Sequence, residues 1–258
     1  MFSEQKLLVG VIHLPPLPGY PESPGMEAVV DKALADLRAL ETGPVEAILV
    51  ENENDKPHRV AAARETIAAM TRVTAELVAA ARHAKVGVEI LLNDPMASLA
   101  VAHMADASFI RTDYFVDPME RPEHGGRMDI DPESLMRYRT AIGADAVLVL
   151  ADIQVKYARM LEPRTLRRSA ELARERGADA IVVTGTATGE PPSLEQIQQA
   201  QEGADKTPVL IGSGLDASNA PALLAAADGA IVGTSLKRGD AVDADKVREL
   251  VDARRLCR

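Results

Sequence analysis

At 258 residues, with 47% hydrophobic and 26% charged residues, the chain has the composition of a globular protein and a length at which large α/β barrels fold as one domain, here residues 1–258. A formal net charge of −10 without a basic tract argues against nonspecific attraction to nucleic acid or an anionic membrane surface, so any phosphate site must be local. The single cysteine, Cys257, leaves no internal disulfide and no cysteine-based metal cluster, which suits a reducing cytoplasm. The start, MFSEQKLLVGVIHLPPLPG, is broken too soon by His13 and prolines to read as a signal peptide. No apolar run approaches membrane-spanning length, and a cytoplasmic protein without an integral membrane segment is expected.

Short apolar runs then alternate with alanine- and leucine-rich helical patterns. LLVGVIHL (7–14) comes first, followed by MEAVVDKALADLRALETG (26–43), whose apolar residues recur at helical spacing and whose Gly43 reads as a stop. Further runs are EAILVEN (46–52), VGVEILLND (86–94), SFIRTD (108–113), AVLVLADI (146–153), IVVTG (181–185), PVLIGSG (208–214) and GAIVGTSL (229–236). TLRRSAELARERG (165–177) repeats the helical pattern, with Gly177 as its stop. The runs are nearly continuous in Val, Ile and Leu, as in parallel strands covered by helices on the outside. Eight such β-then-α units predict a (β/α)8 TIM barrel. The alternative, an open doubly wound sheet, would call for a dinucleotide fingerprint after the first run, and HLPPLPG is not one.

In such a barrel the site lies at the C-terminal ends of the strands. Those ends are polar here: His13, Glu51 and Asn52, Asn93 and Asp94, Arg111 and Asp113, Asp152 and then Lys156, Thr184, Ser213, and Thr234 with Ser235. If Asn93 points inward, strand alternation puts Leu91 and Glu89 inward too. A buried Glu89 needs a partner, and Arg111 on the next strand is the expected one. His13, Glu51, Glu89, Asp94, Arg111, Asp113, Asp152 and Lys156 are the candidate catalytic groups. The carboxylates and His13 could serve as general acid and base, or hold a divalent metal ion through oxygen, although no spacing specifies a metal. Lys156 suits a nucleophile or an electrophile, or else an ion pair with Asp152. His13 could instead anchor its loop, while His58, His83, His103 and His124 read most simply as surface or packing residues.

Glycine-rich turns close the last two strands, at IGSGLDASN (211–219) and GAIVGTSLK (229–237). This is where many barrels hold a phosphate on backbone N–H groups. Gly214, Gly233, Ser213, Thr234, Ser235 and Lys237 are therefore the candidate phosphate contacts, joined by Thr184 and Gly185 of TGTATGEPP (184–192), with Asn52 and Asn93 as further substrate contacts. The plainer reading is that these glycines relieve crowding while Asp216 and Ser218 cap the next helix. The segment 113–132, DYFVDPMERPEHGGRMDIDP, is long for a βα turn and reads as a lid, a homo-oligomer contact or a loose flap.

VIHLPPLPG, VEN with Asp55, LLND, FIRTD, MRYR (136–139), ADIQVK, VVTGTATGEPP, IGSGLDASN and DGAIVGTSLK, in this order and spacing, resemble the BtpA family, also called BtpA/SgcQ, over residues 7 to 252. The resemblance implies a ribulose-phosphate-type barrel and a phosphorylated small-molecule ligand. It carries two functional expectations: an enzyme acting on a phosphorylated sugar or nucleotide-like metabolite, or a non-catalytic assembly factor of the photosystem I biogenesis kind. The chain departs from the family pattern at EILLND (89–94), where Glu89 and Leu92 replace an asparagine and an arginine, and at VKY, where Tyr157 replaces a histidine. With the unusual 113–132 loop, these changes imply altered specificity.

Overall fold

A computed structural model describes residues 6–128 and 130–256; Cys257 lies outside them. The barrel strands are β1 (Leu7–His13), β2 (Ala47–Glu51), β3 (Lys85–Glu89), β4 (Phe109–Thr112), β5 (Leu148–Ile153), β6 (Ala180–Val183), β7 (Val209–Ile211) and β8 (Gly229–Val232). Each pairs in parallel with its sequence neighbour, and β8 closes on β1. The helices that cover them are α1 (Met26–Leu40), α2 (Arg64–Ala80), α3 (Pro95–Met104), α4 (Pro132–Ala141), α5 (Leu166–Glu175), α6 (Leu194–Ala204), α7 (Ala220–Ala226) and α8 (Ala244–Arg254). This is the TIM barrel that the alternating runs predict.

Local chemistry sets the helix ends. Asp94, Asp131, Thr165, Ser193 and Asp243 each accept a first-turn N–H at a helix start, and Ser193 with Gln196 completes a reciprocal capping box. In α5, Leu166, Ala170 and Ala173 turn inward while Arg167, Arg168 and Glu171 pair on the solvent side. Among the described residues no helix is long and apolar enough to cross a membrane.

Strand alternation builds two apolar layers. Leu8, Ile12, Ile48, Val50, Val88 and Ile110 pack outward against the helices. Leu7, Val9, Val11, Leu49, Phe109, Leu150, Val182, Leu210 and Ile231 fill the barrel interior. One inward step above that plug, the side chains become charged.

Several predicted boundaries shift. The run 86–94 is a strand only as far as Glu89, and 208–214 only from Val209 to Ile211, although the Gly212 N–H still donates to the Val183 carbonyl at 2.8 Å. The described part of 113–132 is a packed structure. Met119–Arg121 pairs antiparallel with Gly126–Arg127 and with Arg159–Met160 after β5, over a small core of Leu92, Tyr114, Met119, Met128 and Val155. Asp117 ties this sheet down by accepting from the Gln154 N–H at 2.8 Å and the Ser169 hydroxyl at 2.6 Å.

Candidate active site

A cavity of about 650 Å³ opens at the C-terminal end of the barrel. Its floor is the charged layer. Arg111 donates Nε and Nη2 to the two oxygens of Asp152 at 2.9 Å each, a bidentate pair. Its Nη1 lies 3.5 Å from Glu51 Oε1 and 3.7 Å from Glu89 Oε2. All four side chains are buried, with Asp152 and Glu89 only 1% and 2% exposed. The expected Glu89–Arg111 pair is therefore present but loose, because the guanidinium is committed first to Asp152.

One cation facing so many acids forces their protonation states apart. Burial, reinforced by the charges of Asp113, Glu51 and Asp152, pushes Glu89 well above the usual carboxylate range despite Arg111. Asp113 is lifted to about 7, by burial first and then by Asp152. His13 Nε2 stands 3.5 Å from Glu51 Oε2, but burial first and the Lys237 ammonium second lower the imidazole to about 4. At neutral pH the ring is uncharged, and the contact is polar without being an ion pair. Lys156 lines the cavity with no ion-pair partner among the described residues, since Asp152 is taken by Arg111.

The opposite wall is made by the turns after β7 and β8. Gly214 has φ +70°, and a Cβ there would lie 2.1 Å from Pro191 N, so this glycine lets the β7 turn press against the loop after β6. Gly233 makes room for His13, whose Nε2 would be 3.2 Å from an added Cβ. Both the crowding and the anion reading of the glycines thus have a basis. Ser213 accepts from the Gly185 N–H at 2.9 Å and donates to the Glu190 carbonyl at 2.7 Å, and Ser235 donates to the Leu215 carbonyl at 2.6 Å. These hydroxyls are occupied in fixing the turns. Among the described residues, no acceptor meets the backbone N–H of Gly214, Leu215, Thr234 or Ser235, and all four residues line the cavity.

The cavity thus brings together His13, Glu51, Glu89, Arg111, Asp113, Lys156, Ser213, Gly214, Gly233, Thr234 and Ser235, with Asp152 held on Arg111 outside the lining. Other expected contacts lie elsewhere. Asp94 caps α3 through the Ala97 N–H and holds the Ala62 N–H, both at 2.9 Å. Asn52 donates to Asp55 at 2.9 Å and accepts from the Leu91 N–H at 2.8 Å, tying the ends of β2 and β3 together. Asn93 is not among the residues that line the cavity, although its neighbours Leu91 and Leu92 are. Thr184 is buried beside Gly212, and Gly185 packs under Glu190. Lys237 is not among the lining residues, and its amine is lowered to about 8 by burial and by Lys32. Lys32 itself, which sequence reasoning missed, donates to the His13 carbonyl at 2.7 Å and to Asp36. Arg121 and His124 from the 113–132 segment, with His58 and Tyr157, also line the rim. His58 and His124 read as surface or packing residues, although chain order already put both on mouth-side loops, and both line the cavity. Among the described residues no three His, Cys, Asp or Glu side chains converge as metal ligands; Arg111 occupies the centre of the carboxylates.

The BtpA family matches residues 4–255. The chain belongs to the BtpA family. It is 40% identical over 254 residues to an uncharacterized protein of Archaeoglobus fulgidus, covering 96% of this chain and 98% of the relative. It is 38% identical over 261 residues to the photosystem I biogenesis protein BtpA of Synechocystis, covering 98% and 89%. Among solved structures, (S)-3-O-geranylgeranylglyceryl phosphate synthase from Thermoplasma acidophilum, in complex with sn-glycerol-1-phosphate, superposes with a TM-score of 0.62 at 14% identity over 97% of this chain and 93% of that one. N-(5'-phosphoribosyl)anthranilate isomerase from Pyrococcus furiosus gives 0.59 at 14% identity over 96% and 98%. At such identities these likenesses establish the barrel fold of this BtpA-family protein.

Proposed function

We propose that this BtpA-family barrel is an enzyme acting on a phosphorylated small metabolite, a sugar or nucleotide-like compound, by proton transfer in a lyase, isomerase or hydrolase reaction. The observation that carries this reading is the pairing, within one cavity, of backbone N–H groups after β7 and β8 that no acceptor meets among the described residues with a layer of buried acids around Arg111. Backbone donors in turns suit a phosphate, because they hold the anion without bringing a carboxylate near it. Two titratable groups whose environments separate their protonation states suit acid and base roles, and Asp113 near 7 can serve in either direction at neutral pH. Lys156, without an ion-pair partner among the described residues, suits an oxyanion developing on the substrate or a Schiff base. Some structural neighbours are named for phosphorylated substrates, which is consistent with this division of the cavity.

The test is a thermal-shift screen of inorganic phosphate and phosphorylated sugars and nucleotides, with and without Mg²⁺. A ligand at about a hundred times its dissociation constant stabilises the fold by about 2.7 kcal/mol. Thr234→Glu, which puts a negative charge on an exposed turn residue among the N–H groups, is expected to abolish the shift. An unchanged shift in that variant removes the proposed phosphate site. Turnover of a binding compound, lost in Asp113→Asn or Lys156→Met while binding survives, marks an enzyme. Binding without turnover favours the assembly or regulatory role that the name of the Synechocystis relative suggests.

A further inference from the structure

The donors of Arg111 are shared unevenly. Nε and Nη2 go to Asp152 at 2.9 Å each, Nη1 lies 3.5 Å from Glu51, and the 3.7 Å to Glu89 Oε2 is too long for a hydrogen bond. Among the described residues the buried Glu89 Oε2 has no hydrogen-bond partner, although Glu89 is 2% exposed and lines the cavity. An ionised oxygen in that state is costly, whereas a carboxyl that keeps its proton costs far less, and it then has an O–H to offer. The charged and titratable groups around Glu89 are Arg111 from β4, Asp113 just beyond it, Asp152 from β5 and Glu51 from β2, with His13 of β1 against Glu51. None of them receives that O–H.

We infer that Glu89 stands as an uncharged carboxylic acid whose hydroxyl is reserved for a carbonyl or hydroxyl oxygen on the carbon skeleton of the ligand. This rests on the phosphate reading above: a phosphate dianion is repelled by Glu51, Asp113 and Asp152, so the charged end turns to the β7 and β8 turns and the uncharged end faces Glu89. Donation to a carbonyl oxygen supports loss of a proton from the adjacent carbon to the Asp113 carboxylate. The C–H electron pair becomes a C=C bond, the carbonyl π pair takes the Glu89 proton, and an enol is left between a protonated Asp113 and an ionised Glu89. The substrate class is then a phosphorylated hydroxy-aldehyde or hydroxy-ketone.

Two measurements on the full chain test this. In protein labelled with carboxyl-¹³C glutamate, the Glu89 signal, assigned as the one missing from Glu89→Gln, should keep its protonated position at neutral pH, where ordinary glutamates with pKa about 4.3 are ionised. Calorimetric titration then compares inorganic phosphate with ribose 5-phosphate, ribulose 5-phosphate and sn-glycerol 1-phosphate in wild type, Glu89→Gln and Glu89→Met. Phosphate should bind all three proteins alike. The best sugar phosphate should bind wild type more tightly than phosphate does; Glu89→Gln, which keeps a donor, should hold that advantage within about threefold, and Glu89→Met should lose about tenfold. An ionised Glu89 at neutral pH, an advantage unchanged in Glu89→Met, or no probe binding more tightly than phosphate overturns the inference while the phosphate reading stands. If phosphate itself does not bind, the reading fails and the inference with it. Should Glu89→Met not fold, the carboxyl signal and the Glu89→Gln titration still decide.

Discussion

Removing the guanidinium of Arg111 leaves Glu51, Glu89 and Asp152 buried without their shared cation, and breaking a buried ion pair from one side costs far more than the intact pair contributes. Arg111→Met is expected to lower unfolding free energy in urea by about 3–5 kcal/mol. Adding Asp152→Asn should cost less than its effect in wild type, because the bidentate partner is already gone, with a coupling of about 0.5–3 kcal/mol. Strict additivity of the two changes would show that the pair is not the linchpin of the layer. The sequence pointed to Arg111 as a buried cation but named Glu89 as its partner. Alternation along a strand says which residues share the interior; it does not say how far neighbouring strands are staggered. Arg111 is level with Leu150, so Asp152 stands one inward step higher, where the guanidinium reaches it with two donors.

At the scale of elements, what could be read from the chain was what local chemistry dictates. The eight strands, their order and the polar mouth follow from runs of Val, Ile and Leu and the residues that end them. The roles of individual mouth residues did not follow, because those depend on which loop lies alongside. Asp94 looked like a site carboxylate, yet with Pro95 behind it and α3 beginning there, it is a helix cap. Asp94→Ala is expected to cost about 0.5–2 kcal/mol in denaturant unfolding. Phosphate affinity should stay unchanged in that variant; a weakened affinity would return Asp94 to the site. Ser213 and Ser235 are the converse case: their sequence neighbours suggest phosphate donors, and only the packing of loops distant in sequence shows their hydroxyls taken. The 113–132 segment was likewise unreadable alone, since its sheet is completed by Arg159–Met160 after β5.

For the molecule as a whole, burying ionisable groups in the mouth makes stability depend on pH in two opposed senses. The Asp113 carboxyl titrates at about 7 in the fold against an ordinary value of 3.8. Between those values the folded chain holds a proton that the unfolded chain has released, so this contribution is complete in acid and is lost as pH rises through about 7. Glu89, raised in the same direction, acts in the same sense. His13 is the opposite: its ring titrates at about 4 in the fold against an ordinary 6.5. There the unfolded chain holds the extra proton, so the contribution is complete above 6.5 and is lost as pH falls through about 4. Over the range the windows share, His13 opposes Asp113 and Glu89, and the two carboxyls outweigh it, so the net contribution of these groups falls as pH rises. Each single variant removes one of these contributions. Relative to wild type, the thermal midpoint of Asp113→Asn should climb as pH rises from about 4 to 6.5, and that of His13→Asn should decline over the same range. Midpoints followed across this range in buffers of constant ionic strength separate the two slopes. If both variants track the wild-type curve, neither group is held away from its ordinary protonation by the fold, and the division of acid and base roles in the mouth has no physical basis.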